Sequence, residues 1–327
     1  MGGGRRTLRP RALVWDLFGD HLRYVGDGRI PMRALSALLG VFGVGASTSR
    51  VVLARMRRER WFDTYRSGRL SSYALTGRAL ALLDEGRSRI FGRGTSAWDG
   101  LWRMVIYAVP EPDRSQRDQL RKVLGWHGFG PLASATWISP HPRLDVIAEA
   151  LQERSAGRFD LLESRALDRA VDREMARRCW DLDGLAREYA GLLARYEKLP
   201  PLTALAALPG DQALRQQVEL VTSYRTLPFR DPDLPGELLP EGWPGRRVHE
   251  IFIAAHDALH EPADRFVRGI SGSVSTARSV TTSAVSLRMT RRQKVSLSWM
   301  RSVVQPASVL RLPPCRAPRA RGRGPGR

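Results

Sequence analysis

Basic charge is segregated along this chain, and that segregation limits how its parts can fold. Residues 1–95 carry 18 Lys and Arg against 7 Asp and Glu; residues 96–271 carry 23 against 26; residues 272–327 carry 12 and no acid at all. The near-neutral middle reads as an ordinary globular body, and the basic opening segment as an anion-binding head. The acid-free end has little periodic apolar content to offset its ordering entropy, so no stable fold is expected there.

The 327 residues, 43% of them hydrophobic with nine Trp, suffice for two or three domains with real cores. No stretch approaches the roughly 20 apolar residues of a membrane span, and Met1-Gly-Gly-Gly-Arg-Arg lacks the apolar run of a signal peptide. A cytoplasmic, membrane-free protein is the expectation. Cys179 and Cys315 are the two cysteines, so neither a disulfide framework nor a Cys-based metal site is expected.

Within the head, residues 10–24 space Leu13, Val14, Leu17, Phe18 and Leu22 on one helical face. A second helix follows Pro31, with Leu35, Leu38 and Leu39 inward, and Gly43-Val-Gly45 separates it from a third over residues 46–60. On the third helix Val52, Leu53 and Met56 are assigned to the apolar stripe. Ser49, Arg50 and Arg57 are assigned to the opposite side, with Arg55 and Arg58 flanking. Guanidinium groups span phosphate oxygens or the two acceptors of guanine, and short hydroxyl residues such as Thr48 and Ser49 permit close approach to a groove floor. Two aromatic-rich runs, 61–66 and 70–75, surround Ser67-Gly-Arg69 and read as a β-hairpin with Arg66 and Arg69 at its tip. The bland alternative for one Arg-rich amphipathic helix is a solvated face. The order helix, helix, Arg-rich helix, hairpin in one basic segment favours a winged helix-turn-helix that binds DNA.

In the middle, residues 101–109 form a buried strand, 115–129 a helix, 132–139 a strand, 142–154 a helix and 159–163 a strand, a ferredoxin-like α/β order. Beyond it, helices are expected at 181–199, 211–227 and 246–259, the last stopping near Pro262, with a proline-studded stretch at 229–245. The fold class is thus α+β and multidomain. Residues 9–92 are the winged-helix domain and 97–177 the ferredoxin-like middle. Residues 178–270 are a helical C-terminal domain, and 271–327 a disordered basic tail.

Three stretches together resemble the PaaX-like transcriptional regulators, the phenylacetate-degradation repressor family, over about residues 9–268. They are Trp102-Arg-Met-Val-Ile-Tyr-Ala-Val-Pro-Glu111; Gly128-Phe-Gly130 with Trp137-Ile-Ser-Pro140; and Phe229-Arg-Asp-Pro-Asp-Leu-Pro235 followed by Leu239-Pro-Glu-Gly-Trp-Pro-Gly245. The resemblance implies a homodimeric repressor of double-stranded operator DNA, released by an aryl-CoA thioester such as phenylacetyl-CoA, with a middle domain similar to the CRISPR adaptation nuclease. The tail falls outside the resemblance. It reads either as a basic arm adding non-specific DNA affinity or, the favoured alternative, as the product of a reading-frame shift in GC-rich DNA.

The nuclease relatives carry an acidic metal ligand at the end of the first strand. Here Ala108 stands there, and Glu111 and Asp113 follow in a polar turn. A metal-dependent nuclease using Glu111 or Asp113, and an architectural DNA binder without effector, are the competing readings. No catalytic residue, cofactor or metal is expected. His256 and His260 have the i, i+4 spacing of zinc ligands, but Asp257 replaces the usual Glu and His249 lies about 10 Å away along the helix. They read as helix-surface or ligand-pocket histidines. Without a G-x-S-x-G motif a hydrolase has little support. Trp180, Tyr189, Tyr224, Arg225, Phe229 and Arg230 are the effector-pocket candidates. Core packing is the favoured alternative for each, and the effector site stays unassigned.

Overall fold

The computed structural model describes residues 8–68, 70–93, 97–108, 114–152 and 158–272. Its first part runs α1 (Pro10–Asp20), a 3-10 turn (Leu22–Tyr24), β1 (Ile30–Pro31), α2 (Met32–Val41), α3 (Ala46–Arg58), β2 (Phe62–Ser67), β3 (Leu70–Leu75) and α4 (Gly77–Phe91). β2 and β3 pair antiparallel from Phe62 opposite Leu75 to Ser67 opposite Leu70, and β1 adds to the far side of β3. Gly68, at a φ of 58°, makes the turn between them. The core collects Leu13, Leu17 and Phe18 of α1, Leu35 and Leu38 of α2, Leu53 and Met56 of α3 and Phe62 of β2. The apolar faces read for α1 and α2 are the faces that are buried.

The middle part runs β4 (Trp102–Ala108), α5 (Arg114–Trp126), β5 (Gly130–Ala133), β6 (Thr136–Ser139), α6 (Leu144–Gln152) and β7 (Arg158–Ser164). The strands form one antiparallel sheet in the order β5-β6-β4-β7. The single strand expected at 132–139 is in fact the hairpin β5–β6. Its turn, Ser134-Ala135, carries no glycine or asparagine to announce it. The turn is held by Tyr107, which donates its backbone N–H to Ala135 O (3.0 Å) and its hydroxyl to Ser134 O (3.3 Å). Val105, Leu120, Leu124, Trp137 and Ile147 pack on one face of the sheet, while Trp98, Trp102, Ile138, Cys179 and Leu182 pack on the other. Gly130 sits where a Cβ would come within 2.6 Å of the Trp180 ring.

The last part is helical: α7 (Arg169–Cys179), α8 (Leu182–Tyr196), α9 (Leu202–Ala206), α10 (Gly210–Tyr224) and α11 (Gly245–Gly272). Asp168 and Asp181 cap α7 and α8 through side-chain bonds to free backbone N–H groups. α11 corrects the stop expected at Pro262: the helix passes through Pro262 and ends ten residues later. A proline inside a helix costs about 3 kcal/mol. Pro262 is buried, however, and Gly210 at the start of α10 lets that helix approach the Pro262 carbonyl closely; a Cβ there would lie 2.9 Å from the oxygen and 2.5 Å from Phe266 Cβ. Packing of α10 on α11 offsets the lost hydrogen bond.

α1 is buried on both faces, because its second face meets α10 and α11 through polar groups. The Arg225 guanidinium donates to the Asp16 carboxylate, which also accepts from Thr222 Oγ1 at 3.3 Å. Burial pushes Asp16 up to about 6, with Arg225 opposing the shift. One turn on, Gln217 bridges three histidines: His21 Nε2 at 2.9 Å, His256 Nε2 at 3.0 Å and His260 Nδ1 at 3.3 Å. Asp20 lies 3.4 Å from His256 Nε2, and Asp264 lies 3.4 Å from His21 Nδ1. Burial would raise Asp20, but its hydrogen bond to His256 and the nearby charges hold it below the usual carboxylate range. Burial, then the charges of His21 and His256, push His260 down. His256 and His260 therefore face α1 and the turn after it across a polar seam, which corrects their assignment to the helix surface. His21, His260 and Asp264 offer ligand atoms within 4.8 Å of one another. The two rings stack with planes 9° apart, so their in-plane lone pairs do not converge on one ion.

Beyond α4, Arg93 binds Asp231, Asp233 and the Tyr189 hydroxyl, fixing the residues that follow α4 to the helical part.

Candidate nucleic-acid interface

α3 ends in a Schellman arrangement. Arg60, at a φ of 61°, donates to Arg57 O (2.9 Å), and Trp61 donates to Met56 O (3.0 Å). The left-handed conformation costs a non-glycine residue about 1–2 kcal/mol. It delivers Trp61 into the core, where its ring meets Trp15 edge-on at 5.3 Å, and so sets where the hairpin departs from α3. Thr76 then caps α4 by accepting from Ala79 N.

Leu53, Met56 and Ser49 are the buried residues of α3. Ser49 is fully buried, and its hydroxyl donates to Gly45 O at 3.0 Å. This corrects its assignment to the DNA-facing side: the inward stripe is 49, 53 and 56, and Val52 is only partly covered. A serine is tolerated inside because its hydroxyl is satisfied one turn back.

Thr48, Arg50, Arg55, Arg57 and Arg58 are exposed, as is Arg66 on β2. Arg69 lies outside the described residues. Arg55 Nε donates to Glu59 Oε1 at 3.1 Å. Glu59 also pairs with Arg11 at 2.5 Å and accepts from Trp61 Nε1 at 3.0 Å. Partial burial would raise Glu59, but the hydrogen bond and charge of Arg11 hold it below its ordinary value. Arg55 is therefore tied to the protein's own carboxylate. Arg50, Arg57, Arg58 and Arg66 make no ion pair among the described residues. Two features escaped the sequence reading: Val51 is 67% exposed, and Arg29 stacks at 4.0 Å over the exposed Tyr65 ring of the hairpin.

Of the effector candidates only Tyr189 and Tyr224 come together, both beside Arg93; the six do not form one site. Tyr189 donates to Asp231 at 2.7 Å, Tyr224 bonds His249 at 2.8 Å, and Arg225 is spent on Asp16. Arg230 pairs with Glu188 at the surface, Phe229 stacks on Trp126, and Trp180 lies against Trp102. Glu111 and Asp113 lie outside the described residues, as do Cys315 and the tail from residue 273. Among the described residues no single helix is long and apolar enough to cross a membrane.

Three family models match in succession: PaaX-like protein over residues 9–79, PaaX protein central Cas2-like domain over 95–176, and PaaX-like protein C-terminal domain over 180–269. The transcriptional repressor PaaX of Escherichia coli strain K12 is 32% identical over 262 residues, covering 78% of this chain and 82% of that protein. The chain belongs to the PaaX-like family. A solved structure, the uncharacterized protein Rv0674 from Mycobacterium tuberculosis, shares the fold of this PaaX-like protein. Its TM-score is 0.54 at 24% identity, over 79% of this chain and 98% of its own. The first two family models leave residues 80–94 between them, most of α4 and the residues after it, and the second gives way to the third at the end of α7.

Proposed function

We propose that this PaaX-like protein is a DNA-binding transcriptional repressor acting as a homodimer. Residues 9–92 work as a winged helix-turn-helix: α2, the turn and α3 are the helix-turn-helix, and β2–β3 is the wing. The antiparallel β-α-β-β-α-β order supports a ferredoxin-like middle domain at 97–177, serving dimer contacts and the spacing of two heads. Residues 178–270 form the helical C-terminal domain. The carrying observation is that Arg50, Arg57 and Arg58 stand on the outer side of α3 with no ion pair among the described residues, while Leu53 and Met56 hold the helix to the core.

Docked in a major groove, these guanidinium groups contact phosphates and guanine edges, Thr48 approaches the groove at the helix start, and Arg55 contributes once it exchanges Glu59 for phosphate. Arg66, with Arg69, serves the wing. Family resemblance supports release by an aryl-CoA thioester, a coupling between two sites. Cytoplasmic operation fits that role. The test is a gel-shift titration with Arg50→Ala and Arg57→Ala on DNA bound by the unaltered protein. Each loses affinity and lowers the salt slope by about one ion; unchanged affinity in both removes α3 from the interface.

A further inference from the structure

The buried residues of α3 fix which way the helix points. With Ser49, Leu53 and Met56 inward, 100° per residue places Ser47, Val51, Ala54 and Arg58 on the crest opposite them. Arg50 and Arg57 lie on one flank of that crest, and Thr48 and Arg55 on the other. Val51 thus stands in the middle of the outermost sector, two-thirds exposed, on a helix whose other long exposed side chains are arginines. A β-branched residue at an exposed helical position has lower helix propensity than Ala, Lys or Arg. It gains nothing from the protein's own core.

A second observation orients this crest. A cleft of about 680 Å³ opens on the Arg50 flank, between α2, the start of α3 and the turn end of the hairpin. Arg33 and Arg50 stand on its walls with the hydroxyls of Ser36 and Ser71, and Ala46 and Leu70 supply apolar surface. Arg33 and Arg50 are exposed and make no ion pair among the described residues. Two cations, two hydroxyls and apolar walls match a sugar-phosphate strand, whose phosphates take charge and donors while its deoxyribose carbons take the walls. A backbone seated there turns the Ser47–Val51–Ala54–Arg58 crest toward the base edges.

We propose that Val51 is a specificity-determining residue that packs on the C5-methyl group of a thymine in the major groove, with the adjoining DNA backbone held between Arg33 and Arg50. Thymine alone among the four bases presents a methyl there. An isopropyl group desolvates that methyl and offers no hydrogen bond to any other base. The inference rests on the repressor reading above and adds to it the base that is read.

The experiment uses the full-length protein and a duplex enriched from a random-sequence library by that protein. Each thymine is replaced in turn by deoxyuridine, which lacks only the methyl, and affinity is measured by fluorescence anisotropy at fixed salt. At one position in each half-site the replacement weakens binding about fourfold, the worth of one desolvated methyl-sized group. Val51→Ala abolishes that response and keeps the responses at other positions. Arg33→Ala weakens all duplexes alike and reduces the salt slope by about one ion. Methyl sensitivity that persists unchanged in Val51→Ala, or its absence at every thymine in a tightly bound duplex, overturns the assignment. Failure to enrich any sequence sinks the repressor reading and this inference with it.

Discussion

Replacing Arg225 with Met tests whether the seam between the first domain and the helices is held by charge. Met keeps the length and apolar stem of the side chain and removes the guanidinium. Asp16 is then left 5% exposed with Thr222 as a hydrogen-bond donor and the like charge of Asp20 nearby. Breaking a buried pair on one side costs about 3–5 kcal/mol. The cost has a definite pH dependence. Burial already raises Asp16 to about 6 in the folded protein against 3.8 in the unfolded chain. The folded state therefore holds this proton more tightly, and its stability from this group falls as pH rises between about 4 and 6. Removing Arg225 takes away the principal influence opposing that rise, so the fall extends to higher pH. Urea denaturation followed by tryptophan fluorescence at pH 8 should give the full loss. At pH 5, where Asp16 is mostly protonated, the loss should shrink to the worth of one hydrogen bond to a charged group, about 1.5–3 kcal/mol. The double variant Asp16→Leu/Arg225→Met should recover most of the loss at pH 8. Equal losses at both pH values, with no recovery in the double variant, would refute a stranded carboxylate as the cause.

Gln217→Leu removes the amide shared by His21, His256 and His260, and should destabilise the protein by about 1–3 kcal/mol in the same denaturation assay. Gly130→Ala drives a methyl group against the Trp180 ring and Cys179 Cβ, and should lower the thermal midpoint by an amount equivalent to about 1–3 kcal/mol. Trp102→Phe keeps the aromatic packing but takes the indole N–H from Asp172, which it meets at 2.8 Å; a loss of about 1–2 kcal/mol in urea is expected.

Local pattern announces the elements whose neighbours lie close in sequence. The apolar faces of α1 and α2, the Gly68 turn and the position of α3 all follow from spacing and turn chemistry. The phase of α3 is harder to read, because serine at 49 looks polar while its hydroxyl is satisfied by Gly45, and valine at 51 looks like core while it faces solvent. The hairpin β5–β6 lacks a turn residue to mark it. Pro262 carries a stop signal that packing against Gly210 overrides. The polar seam is least legible of all: Asp20, Gln217 and His256 lie some two hundred residues apart or belong to different helices, and no periodicity connects them. Charge segregation located the arginines of the candidate interface, and Glu59, four residues on from Arg55, is a partner that sequence spacing also offers.

Phe252, His256, His260 and Asp264 recur at every fourth residue of α11, and each meets α4 or the end of α1: Phe91, Asp20 and His21 are their partners. Four residues turn a helix by 400°, so this row winds about 40° at each step. A screw thread of this kind engages in one setting. Advancing α11 by a single residue would rotate every tooth by 100° and disengage all four together. Intermediate settings would leave imidazoles and carboxylates facing hydrocarbon. The contacts that join α1 and α4 to α11 are thereby in register together, and a shift of one residue along the helix would lose all four.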